Sequence, residues 1–191
     1  MNRNYWWHRQ RARFFLFMNQ RMRAMEALET ALATDASDPT AKSTLGVLYG
    51  EAGKFRLAVG QFQSALRDEP ENADTLFNLG FVQQKLDDHL EAIKAFDAAV
   101  KINPNIDRAW FGLGISHAAL GQREQAISDF EHAAKLQPMN PHALLELGMQ
   151  HYALGNREKV LETINRLREF DPEATRELMQ ATHTTLDMGP R

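Results

Sequence analysis

The residues of this 191-residue chain with the greatest capacity for chemistry are its seven histidines and two acidic clusters. His117 and His151 stand 34 positions apart. A metal site built on them would need a carboxylate or third imidazole at ligand spacing, and no carboxylate recurs beside the pair. Packing is their expected role. Asp68, Glu69 and Glu71 form one acidic cluster, and Asp87 with Asp88 another. Both read as solvated connections at turns. The chain holds no HExxH, phosphate loop, GxSxG or dinucleotide fingerprint. It has no cysteine, so thiolate metal sites and disulfides do not arise. The expectation is a protein that is not an enzyme, with no cofactor, metal or small-molecule substrate.

The spacing that relates the two histidines runs through the whole chain. Gly46, Gly80, Gly114 and Gly148 recur every 34 residues, each preceded by a leucine: Leu45, Leu79, Leu113, Leu147. Pro70, Pro104, Pro138 and Pro172 follow at the same period. Ala58, Ala92 and Ala126 align with Val160, and Phe62, Phe96 and Phe130 with Ile164. Ala65, Ala99 and Ala133 align with Leu167. Fixed columns at one period mean stacked copies of one supersecondary unit. Phe55, Val59, Phe62 and Leu66 step by three or four, the spacing of one helix face. The glycine column lets two helices approach where a Cβ would intrude. Gly53, Gly121 and Gly155 stand where a first helix should end in the left-handed conformation, with Asp87 in the second copy. The prolines should stop each second helix.

These columns resemble the tetratricopeptide repeat, W-x2-L-G-x2-Y, A-x3-F and Pro on 34 residues. The third copy reads Trp110, Leu113, Gly114, His117, Ala126, Phe130, Ala133, Pro138, with only His117 off pattern. The first copy keeps Tyr49 but has Lys42 in place of tryptophan. The resemblance implies an all-α fold, a right-handed α-solenoid of antiparallel helix pairs. The copies are expected over 39–72, 73–106, 107–140 and 141–174. They follow a segment 1–38 and precede a capping helix and tail over 175–191, with the helix itself read from Glu173 to Leu186.

The first 23 residues hold six arginines and no acid, leaving 16 basic and 25 acidic residues in 24–191, a net of −9. That asymmetry sits within a modest overall charge of −3. Counting back one period makes 5–38 a degenerate copy, with helices expected near 4–17 and 20–33. Ala12 falls in the glycine column, Leu28 in the phenylalanine column, and Asn19 at the left-handed position. On a helical wheel Trp6, Phe14, Phe17, Trp7, Met18 and Phe15 cover more than half the circumference of the first helix, so one sector can pack on the second helix and the surplus either completes internal packing or stays exposed. Trp6, Trp7, Arg9, Arg13, Phe14 and Phe17 are therefore candidates for docking to a partner or to an anionic lipid surface. The acidic remainder of the chain speaks against nucleic acid. No apolar run is long enough for a membrane span or for an ordinary secretory signal. The cytoplasm is the expected location, with a peripheral membrane contact as the variant.

In the family the first helix of each copy lines the ligand-binding concave surface. Carried over by alignment, the candidate groove residues are Val47, Phe77, Asn78, Phe81, Gln84, Arg108, Phe111, Ile115, Leu145, Met149 and Tyr152. The row is mostly apolar, which suits an amphipathic helix or an apolar extended segment of a protein partner. Most of the carboxylate clamp of chaperone-tail binders is missing: Ser43, Val47 and Gly112 occupy places that require Lys, Asn and a cation. The expected function is a protein–protein adaptor or scaffold. Its alternative is a subunit or assembly factor of a larger, membrane-associated complex, docked through the N-terminal helix.

Overall fold

The computed structural model describes residues 3–184. Among them lie eleven helices and no strand: α1 (Arg3–Phe17), α2 (Arg21–Thr34), α3 (Pro39–Glu51), α4 (Phe55–Asp68), α5 (Ala73–Gln84), α6 (His89–Ile102), α7 (Asp107–Ala119), α8 (Arg123–Leu136), α9 (Pro141–Ala153), α10 (Arg157–Arg168) and α11 (Pro172–Ala181). The architecture is an all-α helical-repeat solenoid. The chain divides into two compact units between Asn103 and Pro104.

Three of the hairpins share one packing device. A Cβ built on Gly46 would lie 2.7 Å from the Phe62 ring, on Gly80 2.8 Å from Phe96, and on Gly114 2.5 Å from Phe130. The missing Cβ is the notch that each phenylalanine fills, and all three rings are at most 1% exposed. Each fully buried ring contributes about 1.5–3 kcal/mol. The fourth copy departs from this. Ile164 stands in the phenylalanine column there, and the atoms nearest a Gly148 Cβ belong to Leu178 of α11, at 2.5 Å.

The turns also repeat. Gly53, Gly121 and Gly155 are left-handed, as are Asn19 at φ 55° and Asp87 at φ 59°. Behind each, an amide bonds the carbonyl five residues back: Gln20 to Phe15, Lys54 to Tyr49, Asp88 to Gln83, Gln122 to His117 and Asn156 to His151. This closure satisfies carbonyls that the helix end would otherwise orphan. The N-terminal helices α1 and α2 thus form a hairpin with the same turn as the others.

The C-terminal helix differs from its expected 173–186 span. It begins at Pro172, with the Asp171 side chain accepting from the amides of Glu173 and Ala174. Asp38–Pro39 and Asn140–Pro141 open α3 and α9 in the same way. Pro172 therefore starts a helix, whereas Pro70, Pro104 and Pro138 lie outside helices. The helix stops at Ala181, and His183 at φ 49° repeats the closing turn, its successor Thr184 bonding the Met179 carbonyl. Leu186, assigned to this helix from the sequence, lies outside the described residues.

Lys42, which replaces the family's tryptophan, is 7% exposed and ion-pairs with Asp68 of α4. Its aliphatic stem packs while its ammonium reaches the carboxylate. Trp110 keeps the family residue. It stacks on His132 with ring centroids 4.5 Å apart and donates its indole N–H to the Pro104 carbonyl at 2.8 Å.

Candidate functional site

Within the first unit, the first helices of neighbouring copies meet directly. The Ser43 and Thr75 hydroxyls hydrogen-bond at 3.0 Å, tying α3 to α5. One helical turn further along, Val47 and Gly50 of α3 face Asn78 and Phe81 of α5, with Lys85 just past its end, across an open pocket of about 330 Å³. Phe62, Phe55 and Val82 also line it, and Glu51 stands at its edge. Val47 is 37% exposed and Phe81 42%. The Lys85 ammonium lies 5.3 Å from the Phe81 ring centroid, a cation–π contact. The structure thus joins three expected residues, Val47, Asn78 and Phe81, in one cavity. Phe77 is turned toward the core, its ring centroid 6.0 Å from that of Phe96. Phe77 and Gln84 do not line this pocket.

The second unit has its own cavity, of about 570 Å³. Leu145, Met149 and Tyr152 of α9 line it together with His142, Glu146, Arg123 of α8, and Glu177, Leu178 and Ala181 of α11. Arg123 donates to the Gln150 amide oxygen at 3.0 Å, which holds the guanidinium at the pocket. Burial raises the Glu146 carboxyl above its usual range, and the Glu177 charge adds to that effect against His142. Sequence reasoning missed Arg123 and Glu177, because the alignment carried over only the first helix of each copy. Phe111 and Ile115 lean on the core instead of lining this cavity, with the Phe111 and Phe130 centroids 5.6 Å apart. Arg108 is exposed at the start of α7.

The two histidines of the column have separate surroundings. His117 Nδ1 lies 2.6 Å from an Asp129 carboxylate oxygen on α8. His151 is buried, and no hydrogen-bond partner reaches its Nδ1 among the described residues. Burial depresses the His151 imidazole below 6.5, against the pull of Glu131. Tyr49, in the same column, donates to Glu29 at 2.7 Å. Among the described residues there is no group of three or more His, Asp or Glu able to hold a metal.

The N-terminal candidates divide into two sets. Arg9 is drawn inward and ion-pairs with Asp38 at 2.9 Å. The Tyr5 hydroxyl also donates to Asp38, as does the Ala41 amide. Burial pushes the Asp38 carboxyl up, but Tyr5, the amide and Arg9 together hold it below its usual value. Asp38 is thus the node that fastens α1 to the start of α3. Sequence reasoning missed it, since no column predicts a partner for Tyr5. Arg9 belongs to this internal node and not to the outward surface expected of it. Trp6, Trp7, Arg13, Phe14 and Phe17 all point outward.

Two models described as tetratricopeptide repeat match the chain, one over residues 43–105 and 82–122, the other over 107–140. Solved structures of the same fold include the following three. MamA superposes with a TM-score of 0.83 at 18% identity over 100% of both chains. YrrB, described as a TPR protein with an unusual peptide-binding site, gives 0.80 at 28% identity over 91% of this chain and 89% of its own. PilF of Pseudomonas aeruginosa gives 0.75 at 20% identity over 95% and 85%. A sequence comparison with curated proteins finds no match.

Proposed function

The chain belongs to the tetratricopeptide repeat family, and from that premise we propose that it is an interaction scaffold that binds an apolar segment of a protein partner, helical or extended, between its first helices α3 and α5. The observation that carries this is the cavity between α3 and α5. Its walls are mostly apolar, Val47 and Phe81 are exposed in it, and Asn78, Lys85 and Glu51 rim it. Such a site pairs an apolar anchor with a few polar groups that fix orientation. The described peptide-binding site of YrrB supports the same reading. A cytoplasmic location belongs to this proposal too.

Phe81→Glu tests it. The side chain is on the surface, so the helical circular dichroism should be unchanged. Peptides selected on the wild-type protein from a displayed random library should be rich in apolar residues, and the variant should bind them at least about tenfold more weakly, as expected for burying an unpaired charge. Equal affinity for both proteins would remove the cavity from the account.

A further inference from the structure

The outward face of α1 is a feature that the scaffold reading leaves unused. At roughly 100° per residue, Trp6, Phe17, Phe14 and Trp7 fall within about 100° of arc, a sector that also holds Gln10 and Arg3. Arg13 borders this stripe on one side and Arg11 on the other. The inward face, carrying Tyr5 and Ala12, is buried against the hairpin. The four stripe side chains are 50%, 86%, 59% and 57% exposed in that order. Met18 and Met22, at 49% and 57%, extend the apolar surface around the α1–α2 turn. A helix that is apolar on its inner side and aromatic on its outer side has two burial partners to find, and the fold supplies one.

Charge says what the other is. Residues 1–23 carry six arginines and no acid. Arg9 and Arg21 are neutralised by Asp38 and Glu51. Arg11 and Arg13 are in no ion pair among the described residues. The Arg11 guanidinium lies 5.7 Å from the Trp7 ring centroid, at the edge of the stripe. Glu26 of α2 shares a cleft with Arg11 and Arg23 on the flank of the hairpin, and no residue of the stripe lines that cleft. Tryptophan and phenylalanine along one line with arginine on both flanks match the two layers of a bilayer surface. The rings enter the boundary of headgroup and acyl chain, and the guanidinium groups meet lipid phosphates.

We propose that α1 lies flat on an anionic membrane surface, with Trp6, Trp7, Phe14 and Phe17 embedded and Arg11 and Arg13 on acidic headgroups. This contact is separate from the cavity between α3 and α5.

The test is sedimentation of the full chain with vesicles of phosphatidylcholine alone or of an equal mixture with phosphatidylglycerol. The chain should pellet with the mixed vesicles, stay in solution with the neutral ones, and shift its tryptophan emission to the blue on binding. Trp7→Ala/Phe14→Ala/Phe17→Ala and Arg11→Glu/Arg13→Glu should each keep their helical circular dichroism and bind at least about tenfold more weakly. Phe81→Glu should bind vesicles as the wild type does. The proposal is overturned by a wild-type chain that stays in solution with the mixed vesicles, by equal binding to neutral vesicles, or by unchanged binding of either N-terminal variant. A concentration-dependent dimer that the triple variant abolishes, without vesicle binding, would also overturn it and make this face a contact between copies of the chain.

Discussion

The hairpin α1–α2 and the hairpin α7–α8 share a turn and differ in where they keep their aromatic residues. In α7–α8 the Phe130 ring sits in the notch left by Gly114 and is 0% exposed. In α1–α2 the same two columns hold Ala12 and Leu28, both buried. The smaller pair closes the interior without a large ring. Of the aromatic residues of α1, Tyr5 is buried and Phe15 packs on the core, while Trp6, Trp7, Phe14 and Phe17 stand on the outside. A ring becomes structural when a complementary void faces it. Without one, the same residue type is surface available for another molecule.

That contrast can be broken most directly by truncation. Phe130→Ala is expected to cost about 3–5 kcal/mol in a denaturant titration, through lost burial and the cavity left behind. Phe17→Ala should stay within about 0.5 kcal/mol, as for an ordinary surface position. Similar losses for both would mean that the outer face of α1 is covered in solution. A smaller effect is expected from filling the notch. Gly114→Ala drives a Cβ into the Phe130 ring and should cost about 1–3 kcal/mol. The reverse change in the N-terminal hairpin, Ala12→Gly, opens no clash and should cost about 1 kcal/mol, mainly as helix propensity.

The smallest effect sharpens the comparison at the column shared by Tyr49 and His151. Tyr49 faces the N-terminal hairpin, and burial together with the Glu29 hydrogen bond pushes its hydroxyl up to about 12. Its contribution is complete below pH 10 and fades only as pH rises toward that value. His151 behaves in the opposite sense. Its neutral form is favoured in the folded state, so its contribution is complete above pH 6.5 and is lost as pH falls below that. Acidification from neutrality to about pH 5 should therefore lower the denaturation midpoint of the wild type more than that of His151→Gln. Glutamine already occupies the column at Gln83. Equal midpoint shifts would show that the imidazole titrates alike in both states.

Much of the hairpin arrangement was legible in the spacing, because the notch and its ring are both columns of the repeat. Asn19 was legible as a left-handed residue for the same reason, and its φ of 55° agrees. The cavity was legible in part: the alignment named Val47, Asn78 and Phe81, but it also named Phe77, whose ring turns toward the core. A column fixes a position on a helix, and the rotamer decides whether a long side chain faces cavity or interior. What periodicity could not convey lies where it fails. Asp38 bonds residues of a helix that departs from the pattern. Leu178 reaches back into a copy from a helix that starts ahead of the register. Glu177 joins the second cavity by the same route.

The Leu178 side chain, lodged where a Gly148 Cβ would stand, also governs how such an array could grow. A further copy of 107–140 spliced in after residue 140 would leave that plug seated on the unit it was made for. A copy appended after residue 174 would separate the two, leaving an empty notch behind and a stranded leucine ahead. An insertion after residue 140 therefore keeps the Leu178–Gly148 contact, and one after residue 174 breaks it.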